Sequence, residues 1–167
     1  MIAIGNALSA LEGQSGFTIE KYATTKEKGD DKKNKEKIVL ENRLKPYADQ
    51  RRRSISNQMP GAIFKLKMDN THPLAYGLPD YYFSLKTSSK AYKFLKKTWN
   101  VGYIEKDPLI LGFAGVNTIK KMEETTVFAV QSLGRGDVIY MVDDPLFRGF
   151  WQQGKFLFSN AVFLAGQ

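Results

Sequence analysis

Cysteine is absent from the 167 residues, and histidine occurs once, at His72. The first absence excludes disulfides, thiolate zinc sites and a cysteine nucleophile. The second excludes any metal site built from two histidines and undercuts every histidine-based triad. A cysteine-free chain is compatible with any redox compartment. Long apolar runs are missing as well: none approaches the roughly 18 residues of a bilayer-spanning helix, and no membrane contact is expected.

What is present describes a globular domain. Hydrophobic residues make up 43% and aromatics 13%, too many for a disordered chain, and the length suits one domain with a sizeable core. The chain opens on Ile2-Ala3-Ile4-Gly5, which reads as a buried strand with no basic leader. The expectation is that Met1 marks a cut point in a longer protein, with any targeting signal upstream. The net charge is +8, and it is concentrated: between Lys21 and Arg53 twelve Lys and Arg stand against six Asp and Glu.

Ile2 to Gly5 followed by Asn6 to Leu11 has the pitch of strand, tight turn and short helix, as in a parallel α/β unit. Residues from about 26 to 45, including KEKGDDKKNKEK, are charged and aperiodic and read as a solvated surface insertion. Pro46 to Asn57 suggests a short helix. Ala62, Phe64, Leu66 and Met68 alternate with Ile63, Lys65 and Lys67, the period of a half-buried strand, and Asp69 to Pro73 breaks it with turn formers. Further strands are expected at Tyr81–Leu85, Asn100–Ile104 and Leu109–Phe113, with a brief helix at Lys90–Lys97. Two β-rich runs, Thr126–Val130 and Val138–Val142, flank Gly134-Arg135-Gly136-Asp137 as a hairpin whose glycines take positive φ. Asp144-Pro145 offers a helix cap and first-turn proline. Phe147, Phe150, Trp151, Gly154, Leu157, Phe158 and Ala161 then share one face at helical spacing, a core helix.

The tail GRGDVIYMVDDPLFRGFWQQGKFLFSNAVFL (Gly134 to Leu164) resembles the end of the glutamine-amidotransferase-like domain at the C-terminus of M14-family zinc carboxypeptidases of Bacteroidetes type. GAIFKLKMDNTHPLAYGL (Gly61 to Leu78), YYFSLKT (Tyr81 to Thr87), WNVGYI (Trp99 to Ile104), the opening MIAIGNALSALEG and GFAG (Gly112 to Gly115) resemble the same domain, so the resemblance spans all but the charged insertion. It implies an α/β flavodoxin-like fold, the three-layer sandwich of class I glutamine amidotransferases, shortened at its N-terminus and ending in a hairpin and helix. It further implies an upstream peptidase domain in the same polypeptide, which would hold the zinc, and a parent that is periplasmic or secreted. The zinc ligands and catalytic glutamate of that peptidase have no counterpart in a chain with one histidine and no HxxE. The amidotransferase cysteine has none either, because the turn after the first strand reads Gly5-Asn6-Ala7-Leu8. This chain is therefore expected to be non-catalytic and to need no cofactor of its own.

Candidate ligand-binding residues remain. His72 sits in a turn, where it either bonds its neighbours or meets a ligand. Asn100 and Trp99 stand at a strand start, and Trp99 and Trp151 could stack on a sugar or peptide ring, although Trp151 on a helix core face reads as packing. Asp143, Asp144 and Arg148 cluster where a strand gives way to a helix, the place of the ligand crevice in parallel sheets; against that, Asp144 serves as a cap and Arg148 could pair with it one turn on. The Gly134-Arg135-Gly136 turn joins two strands and is no phosphate loop. Arg51 to Arg53 and the lysine-rich insertion could meet phosphates, but only Tyr22 and Tyr47 lie near, so nucleic acid is not expected. The leading expectation is an accessory domain packed on its peptidase domain, with homo-oligomerisation possible. The alternatives are a peptide- or carbohydrate-binding module and a polyanion binder acting through the insertion.

Overall fold

The structure is a computed structural model, and it describes residues 1–22, 44 and 46–165. The expected insertion at 26–45 falls almost wholly outside the described residues. Among the described residues the architecture is α/β, with seven strands in one mixed sheet and three short helices. The strands are β1 (Ile2–Ile4), β2 (Gly61–Met68), β3 (Tyr81–Lys86), β4 (Trp99–Ile104), β5 (Ile110–Phe113), β6 (Thr125–Leu133) and β7 (Gly136–Met141). The helices are α1 (Gln50–Ser56), α2 (Val116–Met122) and α3 (Gln152–Phe163), and 3-10 turns follow β1 and precede α1. Sheet order is β1-β7-β6-β4-β2-β3, with β5 lying on β2. Among the described strands only β1 and β7 run parallel; every other pair is antiparallel.

Residues paired across the ladder share a face. Ala62, Phe64 and Leu66 of β2 therefore lie beside Lys86, Ser84 and Tyr82 of β3, and all six are buried. β6 is buried from Thr125 to Gln131 without alternation, because chain packs on both of its faces. On one face Gln131 anchors the N-terminal segment: its Oε1 accepts from Thr18 N (3.0 Å), Thr18 Oγ1 (3.0 Å) and Tyr140 Oη (2.6 Å), and its Nε2 donates to Gly16 O (2.7 Å). On the other, α3 inserts Leu157 and Ala161 into the core. Asn160 Nδ2 then donates to the carbonyls of Leu74 (3.1 Å) and Tyr76 (2.8 Å), tying α3 to the turn after β2.

The sheet is coiled. Ser84 Oγ lies 2.5 Å from Asp143 Oδ2, although β3 and β7 are separated by β2, β4 and β6. Four strand spacings in a flat sheet amount to about 19 Å, beyond the reach of two short side chains. The Tyr82 ring likewise meets Phe128 of β6 edge-on at 5.3 Å. The inner face of β3 has thus rolled over the end of the β6–β7 hairpin.

Several expectations need correction. Asp144 does accept the Leu146 N–H (2.9 Å), but the turn it caps stops at once. Arg148 (φ 50°) and Gly149 (φ 69°) are left-handed, which no right-handed helix accommodates. The core helix starts at Gln152 instead, and Phe150 is exposed rather than packed. Lys90–Lys97 is no helix; Tyr92 there bridges Lys21 and Thr126 as an isolated strand residue. At the hairpin only Gly134 takes positive φ, and Gly136 begins β7.

Candidate functional site

The candidate residues do not converge. Asp143 and Asp144 are neighbours in sequence with opposite fates. Asp143 turns inward, where Oδ1 accepts from Lys86 Nζ (3.0 Å) and Oδ2 from Ser84 Oγ. The Lys86 and Asp143 side chains are 1% and 5% exposed, so this is a fully enclosed ion pair with no path for a ligand. Burial, reinforced by the charges of Asp143 and Asp144, pushes the nearby Tyr82 phenol far above its ordinary range. Asp144 is exposed and serves its own turn. Arg148 makes no ion pair with it; its guanidinium lies 5.2 Å from the Phe147 ring centroid instead.

The sequence gives little notice of Lys86 and Ser84, because a lysine at a strand end ordinarily snorkels to water. The available signal is the period of two. Tyr82, Ser84 and Lys86 share one parity, and continuing β3 by one residue past Leu85 puts Lys86 on the buried face with them. Among the described residues Lys86 has Asp143 as its one partner. This cluster fixes the roll of the sheet, and its chemistry is structural.

His72 sits elsewhere, after β2 and before a 3-10 turn. Its Nδ1 accepts from Leu74 N (3.1 Å), which places the proton of the neutral ring on Nε2. Burial lowers its pKa below the ordinary value, and the charges of Asp69 and Asp137 partly oppose that shift. The Trp99 ring lies 6.2 Å away at 52° and is 61% exposed. His72 and Trp99 thus form one surface corner, at the end of β6 opposite to Asp143. Asn100 is spent on structure: its Oδ1 accepts from Leu95 N (2.9 Å) and its Nδ2 donates to Leu95 O (3.0 Å). Trp151 is half-buried and closes the free edge of β3 by donating Nε1–H to Phe83 O (2.9 Å). Among the described residues no group of His, Cys, Asp and Glu is arranged to hold a metal ion.

The outer face of β2, β3 and β5 carries Ile63, Lys65 and Lys67 beside Leu85, Phe83 and Tyr81, with Leu111 opposite Ile63 and Phe113 opposite Gly61. Leu109, Leu111 and Phe113 are each about half exposed, and none of the face's apolar side chains packs onto the core cluster. Lys65 Nζ lies 5.0 Å over the Tyr81 ring, which is edge-on to Phe83 at 5.7 Å. Large contiguous apolar faces are uncommon on the surfaces of folded monomers. The signal of this face was present in the sequence as apolar residues of the second parity: Ile63 on a strand expected to be half-buried, and Phe83, Leu85 and Leu111 on the further strands expected beside it.

In comparison with known proteins, the chain matches no family model, no curated protein and no solved structure.

Proposed function

We propose that this chain is a non-catalytic docking domain that packs through the outer face of β2, β3 and β5 against a larger partner domain. The observation that carries this reading is the apolar face itself, where Leu109, Leu111 and Phe113 stand half exposed on an otherwise well-packed sheet. Burying such side chains at an interface is favourable by about 25 cal/mol per Å² of apolar surface. The two cations on the face have local company, Lys67 with Asp80 at 2.6 Å and Lys65 over Tyr81, so their desolvation is partly compensated.

The resemblance to the C-terminal domain of M14 zinc carboxypeptidases supplies the partner: the peptidase domain of the same polypeptide, periplasmic or secreted, which would bind the zinc. On this reading the sheet is part of an amidotransferase-like, flavodoxin-like fold. The parallel β1–β7 pair and chain packed on both faces of β6 support that assignment, while the antiparallel β2–β3–β4–β5 region is a departure from it. The domain would shape or support the peptidase rather than act on substrate.

The test is a Leu111→Asp/Phe113→Asp variant and the parent's peptidase domain expressed separately. Because both side chains are about half exposed, the variant should unfold at the wild-type urea concentration. Its affinity for the peptidase domain should fall by about 30-fold or more, as for loss of an interface hot spot. Unchanged affinity sinks the docking reading, and C-terminal exopeptidase activity that survives repurification of the chain sinks the non-catalytic one.

A further inference from the structure

His72 stands where a single proton bears on two elements. It precedes the 3-10 turn Pro73–Ala75, and its Nδ1 accepts the Leu74 N–H (3.1 Å). Proline has no N–H, so Leu74 carries the first donor of that turn. Leu74 and Ala75 are fully buried, where an unpartnered N–H is costly. The Leu74 carbonyl is held from the other side by Asn160 Nδ2 of α3, which also donates to Tyr76 O. Leu74 thus links the histidine to the helix, its N–H fixed by one and its C=O by the other.

Only the neutral ring can hold this cap. A protonated imidazole donates at both nitrogens, and its Nδ1–H would meet the Leu74 N–H, donor against donor. The turn keeps bonds of its own, Ala75 N to His72 O (2.9 Å) and Tyr76 N to Pro73 O (3.2 Å), so the ring is the part that moves. A resting place lies beside it: the Trp99 ring is 6.2 Å away at 52°, and an indole face attracts a cation. Among the described residues the charges acting on the ring are Asp69, in the turn after β2, and Asp137, at the start of β7, and both favour the imidazolium. The Asp69 carboxylate is fixed by Thr71 N and Oγ1, and that of Asp137 by Ser132 Oγ. The side chain that α3 gives to this turn, Asn160, is uncharged.

We propose that His72 is a two-position proton switch. Neutral, it caps the Pro73–Ala75 turn and braces α3 through Leu74 and Asn160. Protonated, it leaves the cap for the Trp99 ring, and the brace slackens. The device acts on the acid side of the range in which histidine ordinarily changes charge, because burial favours the neutral ring. Its parts are internal to the fold, so it stands independently of what docks on the outer face of the sheet.

The experiment is an NMR titration of the whole chain from about pH 8 to about pH 4. It follows the His72 ring, the Leu74 amide, the Asn160 side-chain amide and the Trp99 indole N–H. All four should move with one midpoint, while the Trp151 indole, bound to Phe83 O, stays still. Nuclear Overhauser contacts of the His72 ring should pass from the Leu74 amide to the Trp99 ring. Protection of the Leu74 amide against hydrogen exchange, corrected for intrinsic rate, should fall about fivefold or more across the midpoint, as for loss of a helix cap. His72→Asn supplies a cap acceptor that takes up no proton in this range, and it should abolish the response at Leu74 and Asn160. The proposal is overturned by a ring that stays neutral throughout, by a protonated ring that keeps its contact with Leu74, or by unchanged protection. A response that persists in His72→Asn overturns it equally, and the wild-type readings decide the matter should that variant fail to fold.

Discussion

Replacing Lys86 by methionine removes the cation from the enclosed pair and leaves the Asp143 carboxylate with the Ser84 hydroxyl alone. Methionine is close to lysine in volume, so the packing change is small and the electrostatic one dominates. Stranding one partner of a buried pair costs about 3–5 kcal/mol, a large part of the roughly 5–15 kcal/mol by which domains are stable. The second half of the test is Lys86→Met/Asp143→Leu, in which both charges go. Apolar replacement of a whole buried pair ranges from neutral to about 1–4 kcal/mol stabilising, offset by about 1 kcal/mol for the Ser84 hydroxyl that loses its acceptor. The double variant should therefore be more stable than the single one. Urea unfolding followed by far-ultraviolet circular dichroism measures both. A single variant that loses less than about 1 kcal/mol, or a double variant worse than the single, would mean that water reaches Asp143. The rolled sheet that encloses it would then be wrong.

Two further outcomes bear on the same packing. A methyl group at Gly154 would come within 1.8 Å of the Pro145 carbonyl oxygen, a backbone atom that cannot swing aside. Gly154→Ala should therefore displace the start of α3 and lower stability by about 1–3 kcal/mol or more, read as a shift of the urea midpoint; an unchanged midpoint would contradict the close approach. His72 should titrate below its ordinary value of 6.5 in an NMR pH series. Since the unfolded state then takes up the proton first, its contribution to stability is complete above about pH 6.5. It falls with decreasing pH until the folded pKa is passed, and a titration midpoint at or above 6.5 would refute the burial argument.

Much of the fold was legible because it rests on local signals. The alternation from Ala62 to Met68, the paired β-rich runs around Gly134 and the helical spacing of Gly154, Leu157, Phe158 and Ala161 each specify an element by periodicity. The start of α3 was not legible. Asp144-Pro145 is a genuine cap, and only the left-handed Arg148-Gly149 pair halts the turn it begins. α2 went unnoticed because it opens on the weak helix formers Val116, Asn117 and Thr118 and no side chain caps its start.

The candidate site was less legible still. The residue types of Asp143 and Trp99 were informative, but their partners lay 57 and 27 positions away, whereas His72, read as a turn residue bonding its neighbours, does so with Leu74 two positions on. By itself the sequence determined which chemistries are closed: with no cysteine and one histidine, it offers no thiol nucleophile and no metal site built from two histidines. It also determined strands, through the period of two from Ala62 to Met68 and through the β-rich runs around Gly134. Tertiary structure alone decided that Asp143 is locked against Lys86 while Asp144 faces water. The same is true of the half-exposed outer face of β2, β3 and β5. The reason is physical: periodicity assigns a side chain to one of two faces, whereas how far a sheet coils, and so which face is enclosed, depends on contacts between strands distant in the chain.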